Sequence, residues 1–473
     1  MTNPQTYAAA NVDFRYIVHR LLPFRGMRGA RNLQITASTK NIHLSTPSVP
    51  SGILFLCKTI SVRREKTNKR KIFNDPVYGF INIPDELILD IIEHPYFQRL
   101  RRIKQLGLTH LVYPGALHTR FHHSLGAMHL MSEALSVLTA KGIHLTPEER
   151  QGALIAILLH DVGHAPFSHA LEKSIVTGIM HEDISLIIMN RLNDIFNGKL
   201  SLGIDIFRHK YKKQFLSQLV ASQLDIDRLD YLTRDSFFTG VSEGVIGTER
   251  IIKMLNVADD HIVAEAKGIY SIEKFIVARR LMYWQVYLHK TVLAAENMLI
   301  KLLQRAEYLA RNGEKLFATP PLRFFLENGI DKSDMESDTE ILERYTKIDD
   351  FDIFASLKVW AGHDDFILSE LSKRLVNRRL FRCEIQPEPF EYFYIEEIKN
   401  RISEKYHIPE KDMEYFFYSN TTSNYAYNIK ADKINILYKS GKVMDIVEAS
   451  DQLNISVLSE AVTKHFICYP KDI

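Results

Sequence analysis

The chain has 473 residues, of which 46% are hydrophobic and 25% charged, with a net charge of +3. That length supports two or three lobes with a sizeable core, and the composition is that of an ordinary soluble globular protein. The small net charge excludes a nucleic-acid argument from charge alone, and no apolar run is long enough to span a membrane. Cys57, Cys383 and Cys468 lie far apart and form no CxxC pair. They exclude a disulfide framework and point to a reducing compartment, the cytoplasm.

Residues 1–70 contain only Asp13 and Glu65 as acids, and a basic run, Arg63, Arg64, Lys66, Lys69, Arg70 and Lys71, follows at their end. They read as a disordered basic extension, or as the product of a start assigned too far upstream. An Arg-rich, acid-poor transit peptide is the alternative. The basic run is the one feature that favours a nucleic-acid partner, and a solvated tail explains it equally well.

From Phe73 the chain becomes periodic. Residues 71–381 read as a helical domain and residues 382–473 as a small α+β lobe, so the fold class is mainly α. Asn74 to Phe80 reads as strand and turn. A helix is predicted from Pro84 to Glu93 with Leu87, Ile88, Ile91 and Ile92 on its core face, and another starts at Pro95. A further helix opens near His118 and continues to Leu138. Thr146, Pro147 and Glu149 then form a helix start with a capping box. Gly152 to Leu159 is apolar almost all round, which predicts a buried helix. Further helices are predicted from Phe215 to Ser236 and, as the longest, from Ile272 to Asn312. Residues 313–380 read as helices joined by acidic loops. In the last lobe, Tyr392 to Tyr394, Tyr425 to Ile429 and Ile434 to Tyr438 are predicted strands, with a turn at Gly441.

The buried helix ends in His160-Asp161, and Gly163 and Pro166 break it. Polar groups at the end of a buried helix need partners, and a metal ion is one. The dipeptide alone would fit a capped helix end with a solvated acid equally well. The surroundings add weight, because ten of the nineteen histidines fall between His110 and His181. Borderline divalent metals take such His and carboxylate ligands. Asp227, Tyr231 and Arg234 or Asp235 share one helix face, which is either a solvated stripe or the lining of a site.

These residues carry a resemblance. The order His123, His160-Asp161, Asp227 is similar to the signature of the HD-domain metal phosphohydrolases. The longer runs Asn74-Asp75-Pro76, Phe97 to Arg101, Lys104 to Gly107, Phe121 to Gly126, His160 to His169 and Asp227 to Tyr231 resemble the deoxynucleoside-triphosphate triphosphohydrolase branch. The resemblance extends from Lys71 to the C-terminus and is strongest before Lys290. It implies a helical HD bundle that hydrolyses dNTPs, dGTP among them, to deoxynucleoside and triphosphate. An HD phosphohydrolase for another nucleotide or phosphoester, and a nucleotide- or nucleic-acid-binding scaffold with weak turnover, are the alternatives.

The resemblance further implies His123, His160, Asp161 and Asp227 as ligands of a divalent ion, with Mn, Fe, Zn, Co and Mg all compatible. His164, Glu172 and His181 match the catalytic histidines and acid, although the family more often has Asp at the Glu172 position. His169 matches a substrate-contacting histidine, and Arg120, Arg228 and Arg279 match phosphate contacts. Gln105 and Asp235 match groups near the sugar 3′-hydroxyl. Tyr231 and Tyr287 match aromatic groups packed on the sugar, and Leu288 departs from a polar family residue. Lys71, Asn74, Glu93, Gln98 and Arg101 match a regulatory site for a guanine-nucleotide activator that assembles a homotetramer. Alternatively, Glu93 and Arg101 form a surface pair.

Overall fold

The computed structural model describes residues 71–168, 176, 178–425, 427–428, 433–451 and 460–473. The expectations for residues 1–70, His169 and Glu172 lie outside the described residues. A hairpin comes first, β1 (Ile72–Asp75) with β2 (Gly79–Asn82). Asp75 closes its turn, with Oδ1 accepting from the Val77 and Tyr78 amides at 2.9 and 3.0 Å. Next come α1 (Glu86–Glu93), capped by Asp85, and α2 (Pro95–Gln98).

The central helices are α3 (Arg120–Ala140) and α4 (Pro147–Leu159). The capping box at the start of α4 forms as read from the sequence. Thr146 Oγ1 accepts from the Glu149 amide at 3.2 Å, and the Glu149 carboxylate accepts from the Thr146 amide at 2.9 Å. Every residue from Gly152 to Leu159 is buried. Around this pair lie α5 (His181–Ile195), α6 (Ser201–Phe207), α7 (Gln214–Val220), α8 (Ile226–Thr239) and α9 (Thr248–Met254).

The helix predicted from Phe215 to Ser236 is two helices, α7 and α8. Asp225 separates them, because its carboxylate accepts from the Ser222 amide at 2.8 Å and the Arg228 amide at 2.7 Å. Such local bonds offer the backbone an alternative to the helix and then cap the next one. A hairpin that the sequence reading did not anticipate follows, β3 (Leu255–Ala258) with β4 (His261–Glu265).

The helix predicted from Ile272 to Asn312 is also divided. It comprises α10 (Ile269–Met282), a π turn over Tyr283–Tyr287, and α11 (Lys290–Arg311). His289 caps α11, its Nδ1 accepting from the Thr291 amide at 3.2 Å. The predicted acidic loops and helices follow as α12 (Pro320–Glu327), α13 (Lys332–Ser337), α14 (Thr339–Tyr345), α15 (Asp350–Trp360) and α16 (Phe366–Val376). Asp331, Asp338, Asp349 and Asp365 cap the last four.

The C-terminal part holds β5 (Arg382–Gln386), α17 (Tyr392–Tyr406), β6 (Tyr418–Asn424), β7 (Asn435–Leu437), β8 (Val443–Asp445), α18 (Ile446–Ala449) and β9 (Val462–Tyr469). One sheet has the order β5-β9-β6, and the other β3-β4-β7-β8 with β4 and β7 parallel. The strand expected at Tyr392 to Tyr394 is instead the first turn of α17. Ile398 and Ile402 are its buried anchors, at helical spacing. Of the strand expected over Tyr425 to Ile429, the described residues Tyr425, Tyr427 and Asn428 are not in a strand, and β6 ends at Asn424; Ala426 and Ile429 lie outside the described residues. The strand around Ile436 and the turn at Gly441 are present. No helix among the described residues is long and apolar enough to cross a membrane.

Candidate active site

Three helices converge on one point. His123 comes from α3, His160 and Asp161 from the end of α4, and Asp227 from the first turn of α8. His123 Nε2 lies 3.3 Å from His160 Nε2 and 3.0 Å from Asp227 Oδ1. His160 Nε2 is 3.3 Å from Asp161 Oδ1 and 3.4 Å from Asp227 Oδ1. Asp161 Oδ2 is 3.6 Å from His123 Nε2. Ligand atoms ~2.1 Å from a common ion sit about 3.0–3.4 Å apart at octahedral or tetrahedral angles. His123, His160 and Asp227 therefore have the spacing a divalent ion requires, while Asp161, the neighbour of His160, groups with His164 and His181.

The ring orientations fit the same role. His123 Nδ1 is 2.7 Å from Asp230 Oδ2, and His160 Nδ1 is 2.7 Å from the Ile157 carbonyl. Neither acceptor carries a proton, so each Nδ1 donates and leaves the Nε2 lone pair facing the centre. Burial lowers the basicity of His123, but hydrogen bonds to Asp227 and Asp230 overcome it and push its pKa up to about 10. Burial raises the Asp227 carboxyl, and the bonds to His123 and His160 more than reverse that. Carboxylates gathered this closely call for positive charge, which a divalent ion held by these residues would supply in place of the proton.

Two glycines set the approach of the helices. A Cβ on Gly126 would lie 2.0 Å from the Arg234 guanidinium and 2.1 Å from Asp230 Oδ1. A Cβ on Gly163 would lie 2.3 Å from the Ser185 amide and 2.4 Å from the His181 carbonyl. The second contact brings the start of α5 against the end of α4. His164 and His181 consequently stack with centroids 3.8 Å apart, and His164 Nε2 is 3.3 Å from Asp161 Oδ1. Burial, reinforced by the Arg120 charge, holds His164 well below the usual histidine pKa, in its neutral form.

A cavity of about 570 Å³ opens onto the centre. Gln105, Arg120, Asp161, His164, His181, Asp227, Arg228, Tyr231, Asp235 and Tyr287 all line it. Arg120 donates to Asp161 and, from Nε, to Ser168 Oγ at 3.0 Å, so it already holds a ligand carboxylate. Among the described residues the Arg228 guanidinium bonds only through Nε, to the Ser222 carbonyl at 2.7 Å and Asp225 at 3.1 Å. Tyr287 donates its hydroxyl to Asp235 Oδ2 at 2.7 Å, and the other Asp235 oxygen meets His118 Nε2 at 2.8 Å. Arg279 is not among the lining residues; its guanidinium lies 6.0 Å from the Tyr283 ring and its Nε has no hydrogen-bond partner among the described residues.

Of the stripe on α8, Asp227, Tyr231 and Asp235 face the cavity, whereas Arg234 is buried behind it between Asp230 and Asp75. The sequence reading assigned no role to Asp230, Glu182 or Glu296, of which the last two also line the cavity. The spacing of Asp230, three residues after a ligand on one helix, is the signal that could have found it.

Lys71 and Glu93 form an ion pair, and Arg101 Nε donates to Gln98 Oε1 at 2.8 Å. Arg101 also lies 3.5 Å over the Phe121 ring. Glu93 pairs with Lys71 and not with Arg101. Asn74 lies in β1, beside the Lys71 end of this surface.

Comparison with known proteins follows the same outline. Residues 120–235 match the family described as HD domain, and residues 246–315 that described as HD associated region. The chain is 54% identical to a phosphohydrolase of known structure from Bacteroides thetaiotaomicron, with a TM-score of 0.82 over 85% of this chain and 100% of that one. It is 34% identical to the uncharacterized protein YwfO of Bacillus subtilis, over 86% of this chain and 94% of the relative. It is 32% identical to the deoxynucleoside triphosphate triphosphohydrolase SAMHD1 homolog of Dictyostelium discoideum, over 52% of this chain and 51% of that protein.

Proposed function

The chain belongs to the HD-domain phosphohydrolase superfamily, in the branch of its deoxynucleoside triphosphate triphosphohydrolase relatives, and we propose that it hydrolyses dNTPs to deoxynucleoside and triphosphate. One observation carries the reading. The cavity joins the His and Asp centre to Arg228 and to the Tyr287–Asp235 pair, which gives places for phosphates and for a sugar in a single space.

A bound divalent ion at His123, His160, Asp161 and Asp227 would polarise the phosphoryl group and acidify a water. The residues of the chain supply the rest. Arg228 offers its terminal guanidinium nitrogens to the phosphates, a geometry suited to phosphate oxygens. Arg120 keeps Asp161 ionised and oriented. Water oxygen bonds to the α-phosphorus, the bond to the 5′-oxygen breaks, and a proton passes to that oxygen. His164 and His181, stacked beside Asp161, are assigned this proton transfer together with Glu172. The roles of Glu172 and His169 rest on the resemblance alone. Tyr287, held by Asp235, closes the space where a ribose 2′-hydroxyl would sit, and Gln105 faces the 3′ side.

The surface that carries Lys71, Asn74, Glu93, Gln98 and Arg101 is assigned to a guanine-nucleotide activator that favours a homotetramer. Incubation of the purified protein with each dNTP and Mn²⁺, followed by ion-exchange chromatography, tests the reaction. Intact tripolyphosphate is the expected product. Orthophosphate or pyrophosphate alone would assign the chain to HD phosphohydrolases of other phosphoesters.

A further inference from the structure

Glu296 stands in the wall of the cavity on α11. Leu288 and Leu293 line the same cavity, as do Gly107 and Thr109 of the 3-10 turn Gly107–Leu111. None of the metal-ligand side chains comes from these elements. Glu296 has no ion pair and no hydrogen bond among the described residues. Burial alone, with no cation to offset it, pushes its carboxyl up to about 8. A carboxyl so placed costs stability unless something that enters the cavity satisfies it.

The nature of that partner follows from charge. Among the described residues no cation pairs with Glu296 to hold a phosphate there, so the triphosphate lies toward Arg228 and the candidate metal centre. The sugar is held between them at Tyr287. The part of a nucleotide left to reach α11 is the base, with Leu288 and Leu293 as apolar surfaces for its faces. Unpartnered, the Glu296 carboxyl is mostly protonated at neutral pH; two N–H donors facing it favour the ionised form, and a carboxylate only accepts hydrogen bonds. Among the four bases, guanine alone presents two adjacent donors, N1–H and the 2-amino group, on its pairing edge. Adenine and cytosine present a donor next to an acceptor, and thymine a donor between two acceptors.

We propose that Glu296 is the base-reading residue of this site, selecting guanine by accepting from its N1–H and 2-amino groups. This inference rests on the dNTP reading above. The test compares the full-length wild type with Glu296→Gln and Glu296→Ala. Calorimetry measures the affinity for deoxyguanosine and deoxyadenosine, and turnover gives kcat/KM for dGTP and dATP. The wild type is expected to prefer guanine, and both variants to lose about tenfold or more of that preference in both readouts. The Gln variant keeps the side-chain shape, so a folding defect confined to Ala leaves the test intact.

Nucleoside binding needs no phosphate chemistry, which separates the two claims. A protein that hydrolyses no dNTP contradicts the proposed reaction, while the nucleoside affinities still judge Glu296. All three proteins are compared in a Glu93→Ala background, so that guanine bound at the assigned activator surface does not enter the ratio. A guanine-to-adenine ratio within about twofold of wild type in both variants would overturn the inference, as would a wild type that binds both nucleosides alike or neither.

Discussion

His123 Nδ1 donates to Asp230 Oδ2 at 2.7 Å, between two side chains that solvent does not reach. Asp230 also receives Arg234 Nε and Nη2, each at 3.0 Å, and Arg234 continues to Asp75 at 2.7 Å. The first hairpin, α8 and α3 are thereby joined behind the candidate metal centre. The line fixes the His123 tautomer and ring angle. Asp230→Asn keeps an acceptor but loses the charge that steadies both His123 and Arg234. It is expected to weaken metal affinity by about 10–100-fold. Metal titration against a competing chelator measures this, and an unchanged affinity would show that the line does not support the ligand.

Tyr287 is the second test. Its hydroxyl is held by Asp235, so the ring has one position in the cavity. Tyr287→Ala opens the space beside the sugar and is expected to lower the preference for dGTP over GTP by about tenfold. The ratio of kcat/KM for the two nucleotides reads this directly. An unchanged ratio would remove Tyr287 from sugar discrimination.

The proposed ligand set was legible in the sequence because the residue types and their order along the chain carry the chemistry. Thr146, Pro147 and Glu149 were legible because caps are local. Asp230 was not, because Asp227 and Asp230 lie in the first two turns of α8, directly after its cap Asp225, and nothing local says which carboxylate points to a buried histidine. The division between α10 and α11 was not legible either. It contains neither Pro nor Gly, and it arises from a π turn followed by a cap from His289. That turn carries Tyr283 and Tyr287 into the cavity, so the irregular backbone is where the site is built. The hairpin of β3 and β4 turns on Asp259 and Asp260, both at positive φ, in place of the glycine that would have marked it. At Tyr392 to Tyr394 the aromatic run reads as strand, and the more distant Ile398 and Ile402 decide for helix.

Stability carries its own pH test. Glu149 is buried, which raises its carboxyl, but Lys213, Tyr211 and the Thr146 amide overcome this and lower it to about 2. Its folded pKa is depressed, so its contribution is fully present above the unfolded value of 4.5 and is lost as pH falls toward about 2. The contribution is at most ~3 kcal/mol by linkage. Lys213→Met is expected to destabilise at pH 7 and to flatten the fall in stability below pH ~4.5. Urea denaturation at a series of pH values reads both effects. Parallel pH profiles for variant and wild type would contradict the assignment.

The proposed regulation rests on the Lys71–Glu93 surface. A guanine nucleotide that binds the tetramer better than smaller species shifts the population by that difference. GTP is expected to raise dATP hydrolysis and the tetramer fraction together, and Glu93→Ala to abolish both while retaining bound metal. Sedimentation run beside a dATP assay reads the two. A constant oligomeric state with no stimulation would remove the regulatory assignment and leave the catalytic one standing.

The most direct measurement follows the oxygen. Hydrolysis of dGTP with Mn²⁺ in ¹⁸O-water, with His160→Ala as the ligand-deficient control, shows which bond breaks. Attack at the α-phosphorus predicts one ¹⁸O in the released triphosphate, none in the deoxyguanosine, and no turnover by the control. Label in orthophosphate or pyrophosphate, or in the nucleoside, or turnover by His160→Ala at the wild-type rate, would contradict the account.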